Sequence, residues 1–223
     1  MSNEILFLVH MLLVATFVVG ALRLGKEALV GVIGLLAVVA NLFVIKQITL
    51  FGLYVTSGDV YIVGSVLALG VLQELHGKTV ALRAIWISFF MALFYMMMSQ
   101  VHLAYVPNQF DFTHCSFINI LKFMPRIIFA SILVHFIAQY TAWFLHRVLK
   151  KMIGDSRFII RSGIVLVVSQ ALDTVLFSFA ALYGLVHSVV HVMVMSFTIK
   201  VIVIACLTPV VGLVKRFCVC ETA

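Results

Sequence analysis

Long apolar segments joined by short polar connectors make up almost the whole chain. A helix needs about 20 mainly apolar residues to cross a bilayer. The pattern predicts seven such helices, at residues 5–22, 28–46, 59–75, 84–106, 126–146, 162–184 and 188–213. Membrane barrel strands would instead alternate polar and apolar residues in pieces of about ten. The sequence therefore predicts an all-α, polytopic transmembrane helical bundle, and six spans is the alternative count if one early segment does not cross.

Two connectors are distinguished by their composition. The connector QITLFGLYVTSGD, at 47–59, mixes polar and apolar residues around two glycines, which favours a re-entrant or interfacial segment. The connector at 105–125 is the longest polar region of the chain. The first apolar segment follows Glu4 rather than a basic stretch, which favours a retained span over a signal peptide.

Composition supports the same fold class. Of the 223 residues, 64% are hydrophobic and only 10% are charged, and the mean hydropathy is +1.22. A soluble domain is about 45–50% apolar and about 25% charged. We therefore expect a single integral membrane domain over residues 1–223. The net charge of +7 is better explained by membrane topology than by nucleic-acid binding.

Basic residues alternate between the two predicted sides of the membrane. Three of them lie beside the connectors that follow even-numbered spans (Lys46, Lys122 and Arg126), and Lys200 lies inside a span. The other eleven follow odd-numbered spans: Arg23, Lys26, Lys78, Arg83, Arg147, Lys150, Lys151, Arg157, Arg161, Lys215 and Arg216. Because basic connectors face the cytoplasm, this pattern predicts an outside N-terminus and a cytoplasmic C-terminus.

Asp173 is the only formal charge in the stretch LVVSQALDTVLF, at 166–177. A carboxylate at the centre of a membrane helix costs about 2.5–3.5 kcal/mol on insertion scales, so it needs a partner, a cavity or a solute. Gln170, Thr174 and Phe177 share its helix face. The sequence leaves two interpretations open, a solute-binding carboxylate and a helix–helix pair with a basic residue such as Lys200.

Other spans also carry polar residues, and these predict an inward polar cavity. Motifs for metal, nucleotide or covalent chemistry are missing from the sequence. HSVVH, at 187–191, lacks the glutamate of a zinc-protease helix and has no evident third ligand. HGKT, at 76–79, has Leu72 where a phosphate-binding loop needs glycine. We therefore expect no enzyme activity, no catalytic residues, no metal and no cofactor.

Five segments together resemble the queuosine precursor transporter family, also called the vitamin uptake transporter family. They are AVVANLFVIKQI (37–48), QELHGKTVALRAIW (73–86), PRIIFASILVHFIAQ (125–139), RSGIVLVVSQALDTVLF (161–177) and IKVIVIACLTPVVGLVKR (199–216). The fourth is the most specific. The chain departs from the family pattern where Gly70 and Ala142 replace acidic residues.

The resemblance implies a fold and a function. The implied fold is a six-helix core, at about 28–216, with an extra N-terminal span, similar to the substrate-binding subunits of energy-coupling-factor transporters. The implied function is import of 7-deazaguanine bases (queuine, preQ1 or preQ0) for tRNA queuosine salvage, across a bacterial cell inner membrane. The implied partners are a purine-like base and the lipid bilayer, with no nucleic acid. The energy source stays open between a proton gradient, metabolic trapping and a separate energising partner.

The resemblance also suggests roles for the polar residues. A guanine-like base offers an N–H group and an amine that one carboxylate accepts together, and Asp173 or Glu74 suits that role. Amides would meet the carbonyl and ring nitrogens, and Phe177 or Trp143 would stack on the ring. The predicted substrate-binding set is Asp173, Gln170, Glu74, Asn41, Gln139, Phe177, Lys200 and Arg126. The alternatives are a carrier of another vitamin or nucleobase, an intramembrane enzyme and a structural membrane protein.

Overall fold

The structure is a computed structural model that describes residues 2–153 and 158–202. Eight α-helices account for most of these residues. They are α1 (Asn3–Leu24), α2 (Lys26–Phe43), α3 (Asp59–His76), α4 (Lys78–Ala104), α5 (His114–Leu121), α6 (Met124–Ile153), α7 (Phe158–Phe177) and α8 (Val189–Ile202). A short π-helical segment, Ser178–Leu182, extends α7.

The helices confirm the predicted all-α, polytopic transmembrane bundle. Six helices in the described ranges are long and apolar enough to cross a membrane, and they coincide with the first six predicted spans. The seventh predicted span begins as α8, and its residues 203–213 lie outside the described part of the chain. Many apolar side chains stay exposed on the outer helix faces, such as Phe17 at 73% and Phe90 at 71%, as expected for a protein surrounded by lipid.

The connector at 47–58 forms a β-hairpin, which the sequence did not predict. Strands β1 (Gln47–Leu50) and β2 (Leu53–Thr56) pair antiparallel around Phe51 and Gly52. Both turn residues have positive φ angles, 49° and 77°, as the tight turns that suit a twisted hairpin require. Leu50 and Val55 are completely buried, so the hairpin packs into the bundle. The long polar connector at 105–125 likewise contains a helix, α5.

The hairpin lies at the same end of the bundle as the start of α1 and the turn between α7 and α8. Asn3 Nδ2 donates to the Thr49 carbonyl at 3.0 Å, and Glu4 Oε1 accepts from the Phe51 backbone N–H at 3.2 Å. The Gln47 side chain accepts from the His187 backbone N–H at 2.8 Å. We call this end the hairpin end and the opposite end the basic end, because exposed Arg23, Lys26, Lys78, Arg83, Arg147 and Lys151 lie there.

Single glycines make two of the helix connections at the basic end. Gly25 separates α1 from α2 and Gly77 separates α3 from α4. Gly77 has φ 83° and ψ 167°, and Gly25 has φ 111° and ψ 176°. That backbone region is essentially open only to glycine. Each helix pair therefore reverses direction within one residue.

Candidate functional site

Lys200 of α8 joins two helices in the interior of the bundle. Its Nζ donates to Asp173 Oδ2 of α7 at 2.7 Å and to Thr174 Oγ1 at 3.0 Å. The Lys200 side chain is 8% exposed and that of Asp173 is 27% exposed. The predicted pairing of Asp173 with a basic residue such as Lys200 is therefore confirmed, and part of the carboxylate stays accessible.

A second carboxylate, Asp59, lies near this pair and was not predicted. It is the first residue of α3, directly after the hairpin, and only 4% of it is exposed. Ser196 Oγ of α8 lies 2.7 Å from Asp59 Oδ1 and 2.8 Å from Asp59 Oδ2. Ser196 lies one turn before Lys200 on α8, so both side chains share one helix face. Lys200 is close enough to interact electrostatically with Asp59.

These contacts bring α3 and α7 together around α8. We call Asp59, Ser196, Lys200, Asp173 and Thr174 the α8 network. It contains two carboxyl groups and one ammonium group inside a mainly apolar bundle. From α6, His135 interacts electrostatically with Asp173, and its ring meets the Phe89 ring edge-on at 5.0 Å.

Three more of the predicted site residues lie on helices of the network or beside it. Gln170 lies on α7, and its backbone carbonyl accepts from Thr174 Oγ1 at 2.8 Å. Phe177, at the end of α7, is partly buried against a cluster of core side chains that includes Met124 and Ile127. Gln139 is exposed on α6, one turn beyond His135. Their roles toward a substrate stay predictions.

Arg126 contacts the backbone at the end of α7. Its Nε donates to the Ala180 carbonyl at 2.9 Å and its Nη2 donates to the Tyr183 carbonyl at 2.7 Å. Carbonyl groups at the end of a helix lack partners within the helix, and a basic side chain there satisfies them. In this structure Arg126 therefore stabilises the π-helical end of α7, and its predicted contact with substrate stays untested.

Asn41 and Glu74 lie outside the α8 network. Asn41 is buried on α2, and its Nδ2 donates to the Ala37 carbonyl of the same helix at 2.8 Å. Glu74 is exposed near the basic end of α3. Fifteen residues of helix separate Glu74 from Asp59, which is about 22 Å along the axis. Of the two carboxylates predicted to bind the base, Asp173 is thus the one in the network.

A surface cavity at the hairpin end contains none of the predicted site residues. Its volume is about 190 Å³, and it is lined by His102, Tyr105, Val106, Pro107, Asn108, Asp111, Thr113, His114 and Phe117. The backbone N–H and the hydroxyl of Thr113 donate to Asp111 Oδ1, each at 2.8 Å. These bonds hold the pKa of Asp111 below its ordinary value. The carboxylate therefore fixes the start of α5.

The two histidines of HSVVH contact the hairpin. The Tyr54 ring lies edge-on to His187 at 4.8 Å and stacked on His191 at 5.6 Å. Within residues 2–153 and 158–202, no group of three or more His, Cys, Asp or Glu side chains is placed to hold a metal ion. The rings therefore hold the hairpin against the start of α8.

Chemically, the α8 network suits reversible binding rather than covalent chemistry. A carboxylate accepts two parallel N–H donors from one planar group, and such bonds are strong because the acceptor is charged. Asp173 has the exposed fraction for such a contact, and Lys200 is the internal donor with which a bound solute would compete. The network thus combines an accessible acceptor with a cation that occupies it when no solute is bound.

Comparisons with known proteins agree with one another. The family described as "Putative vitamin uptake transporter" matches residues 56–214, which include the whole α8 network. The "Probable queuosine precursor transporter" of Bacillus subtilis (strain 168) is 30% identical over 196 residues, which cover 86% of this chain and 84% of that protein. No solved structure matches the chain.

Proposed function

Because the chain belongs to the vitamin uptake transporter family, we propose that it imports a queuosine precursor, a 7-deazaguanine base such as queuine, preQ1 or preQ0. The chain is a multi-pass membrane transporter and not an enzyme, as the descriptions of its family and of its relative indicate. The name of that relative, 30% identical over 86% of this chain, supports the choice of solute. The imported base would serve tRNA queuosine salvage.

The observation that carries the proposal is the accessible carboxylate of Asp173. A guanine-like base presents a ring N–H and an exocyclic amine side by side, which matches the two oxygens of one carboxylate. Asp173 is partly exposed, and its partner Lys200 has a flexible four-carbon stem, so the ammonium can yield to another donor. Transport would then proceed by alternating exposure of this site to the two sides of the membrane.

We also propose a setting and an orientation. The membrane is a bacterial inner membrane, with the N-terminus outside and the C-terminus in the cytoplasm. The basic residues gathered at one end of the bundle support this orientation, because basic connectors are retained in the cytoplasm. The hairpin end would then face the outside.

The test is the queuosine content of tRNA in cells that cannot make the precursor. Each base is supplied separately at low concentration, with and without this protein, and a queuine salvage enzyme is provided in the host. We expect one base to restore queuosine only when the protein is present. Restoration should disappear in Asp173→Ala at normal membrane abundance.

The matched control is Glu27→Gln, which changes a carboxylate whose side chain is 84% exposed. This variant should restore queuosine as well as the unmodified chain does. If the protein is well expressed and none of the three supplied bases restores queuosine, the queuosine proposal is wrong. The second candidate, a carrier of another vitamin or nucleobase, is favoured by the family description and would be identified by competition among labelled solutes.

A further inference from the structure

Two hydrogens fit the contact between Asp59 and Ser196 better than one. Ser196 Oγ lies within 2.8 Å of both carboxyl oxygens of Asp59, so both contacts have hydrogen-bond length. A serine hydroxyl carries one hydrogen, so an ionised carboxylate would have to share that hydrogen between both oxygens in a three-centre bond. A protonated carboxyl supplies the second hydrogen, because its O–H donates to Ser196 Oγ while its carbonyl oxygen accepts. The geometry therefore fits a neutral Asp59.

The charges of the α8 network lead to the same state. Lys200 and Asp173 form a neutral pair. Among the residues that the structure describes, none forms an ion pair with Asp59, which is 4% exposed. An ionised Asp59 would leave one uncompensated negative charge in the apolar bundle, which is strongly unfavourable. A proton on Asp59 makes the whole network neutral.

We propose that Asp59 and Ser196 form a proton-binding site whose occupancy decides which carboxylate Lys200 binds. With the proton bound, Lys200 pairs with Asp173, as observed. When the proton leaves Asp59 for water, Lys200 moves to the ionised carboxylate of Asp59 and releases Asp173. The proton site stands on the contacts above, whereas the use of the released Asp173 by a solute rests on the proposed function.

The helix geometry permits this exchange. Ser196 and Lys200 lie four residues apart on α8, so their side chains are neighbours on one face. Ser196 already touches Asp59, and the four-carbon stem of lysine has rotatable bonds throughout. Lys200 therefore needs only a rotamer change, without movement of a helix, to pass from one carboxylate to the other.

In the part of the chain that the structure describes, few other titratable groups face Asp59 from the surrounding helices. From α1, the His10 ring contacts Tyr61 edge-on at 4.8 Å, two residues after Asp59. From α7, Asp173 binds Lys200, and from α6, His135 interacts electrostatically with Asp173. The neighbouring helices α2 and α4 contribute buried side chains that do not titrate: Asn41, Ser88 and Ser99.

The first test needs no solute. Infrared spectra of the purified chain in lipid should show the C=O band of a protonated carboxyl, and Asp59→Asn should remove it. Ser196→Ala should shift the band, because the carboxyl loses its hydrogen-bond partner, but should not abolish it. If Asp59→Asn removes no such band from neutral to acid pH, the proton site does not exist.

Substitution of Asp173 tests the movement of Lys200. Asp173→Asn leaves Lys200 with Asp59 as its acidic partner, so Asp59 should ionise and its band should disappear. In the double variant Asp173→Asn with Lys200→Met, the cation is absent and the band should return. A band that persists in Asp173→Asn would overturn the exchange.

The last test links the proton to the solute. Because solute and proton compete through Lys200, the affinity of the unmodified chain for a transported base should rise with pH, by up to about tenfold per pH unit. In Asp59→Asn, Lys200 has lost its second carboxylate, so binding should be weak and independent of pH. An affinity that does not change with pH, or that falls as pH rises, would contradict the coupling. If no 7-deazaguanine binds at all, the proposed function fails, while the infrared result still decides the proton site.

Discussion

Lys200 is almost completely buried, whereas Asp173, to which its Nζ donates at 2.7 Å, keeps 27% of its side chain exposed. The two partners of this ion pair therefore differ in access. A solute that enters the bundle meets the carboxylate while the ammonium lies behind it. A bound solute would therefore compete with Lys200 for Asp173, and not with Asp173 for Lys200.

Removal of one partner of this pair should destabilise the protein more than removal of both. Lys200→Met leaves the Asp173 charge without its cation, and we expect a loss of about 1–3 kcal/mol in the free energy of unfolding. Adding Asp173→Asn should recover part of this loss, with a coupling of about 0.5–3 kcal/mol. Thermal unfolding of the four proteins in detergent measures the coupling, and additive losses would contradict a direct pair.

Arg126 should stabilise the turn after α7 more than the rest of the protein. Arg126→Gln removes the donors to the Ala180 and Tyr183 carbonyls. This should lower the free energy of unfolding by about 1 kcal/mol. Hydrogen exchange of the backbone amides at 178–186 should become faster, and exchange in α2 should not change. Arg83→Gln, which changes an exposed arginine at the basic end, is the control and should leave 178–186 unaffected.

Gly77 should tolerate no side chain, for reasons of backbone conformation alone. A Cβ atom at Gly77 would meet nothing within 4 Å, yet its φ of 83° is strained for any other residue. Gly77→Ala should cost about 1–3 kcal/mol of stability. Gly70→Ala also meets nothing within 4 Å, but it lies inside α3 and should stabilise by up to about 1 kcal/mol. Melting temperatures of the two variants should therefore shift in opposite directions.

The proposed orientation can be tested with Cys115, which is exposed on α5 at the hairpin end. In a chain with the other three cysteines replaced by serine, an impermeant thiol reagent should label Cys115 in intact cells. A cysteine introduced by Lys151→Cys, at the basic end, should react only after the cells are opened. The opposite result would reverse the orientation.

The sequence predicted the helices well because hydropathy is a local property of each segment. It also singled out Asp173 and Lys200, since a charge inside an apolar segment is conspicuous. It missed Asp59, because a carboxylate at the edge of a span looks like part of a connector. Only the packing of α3 against α8 shows that this position is buried.

The hairpin and the contacts of Arg126 were missed for a related reason. Four-residue strands have too little sequence for a reliable pattern, and their burial depends on the surrounding helices. Arg126 was predicted to bind substrate because its segment, at 125–139, resembles the family. Its backbone partners, Ala180 and Tyr183, are more than fifty residues away in the chain, at separations of 54 and 57 residues.

The one-residue connections at Gly25 and Gly77 make the bundle mechanically asymmetric. Two Cα atoms that flank a single residue can be at most about 7 Å apart, so the helices of each pair are tied together at the basic end. At the hairpin end, a fifteen-residue connector separates α2 from α3, from Val44 to Gly58. The two helices of each pair are therefore held together at the basic end. Any rocking of one helix against the other has its largest amplitude at the hairpin end.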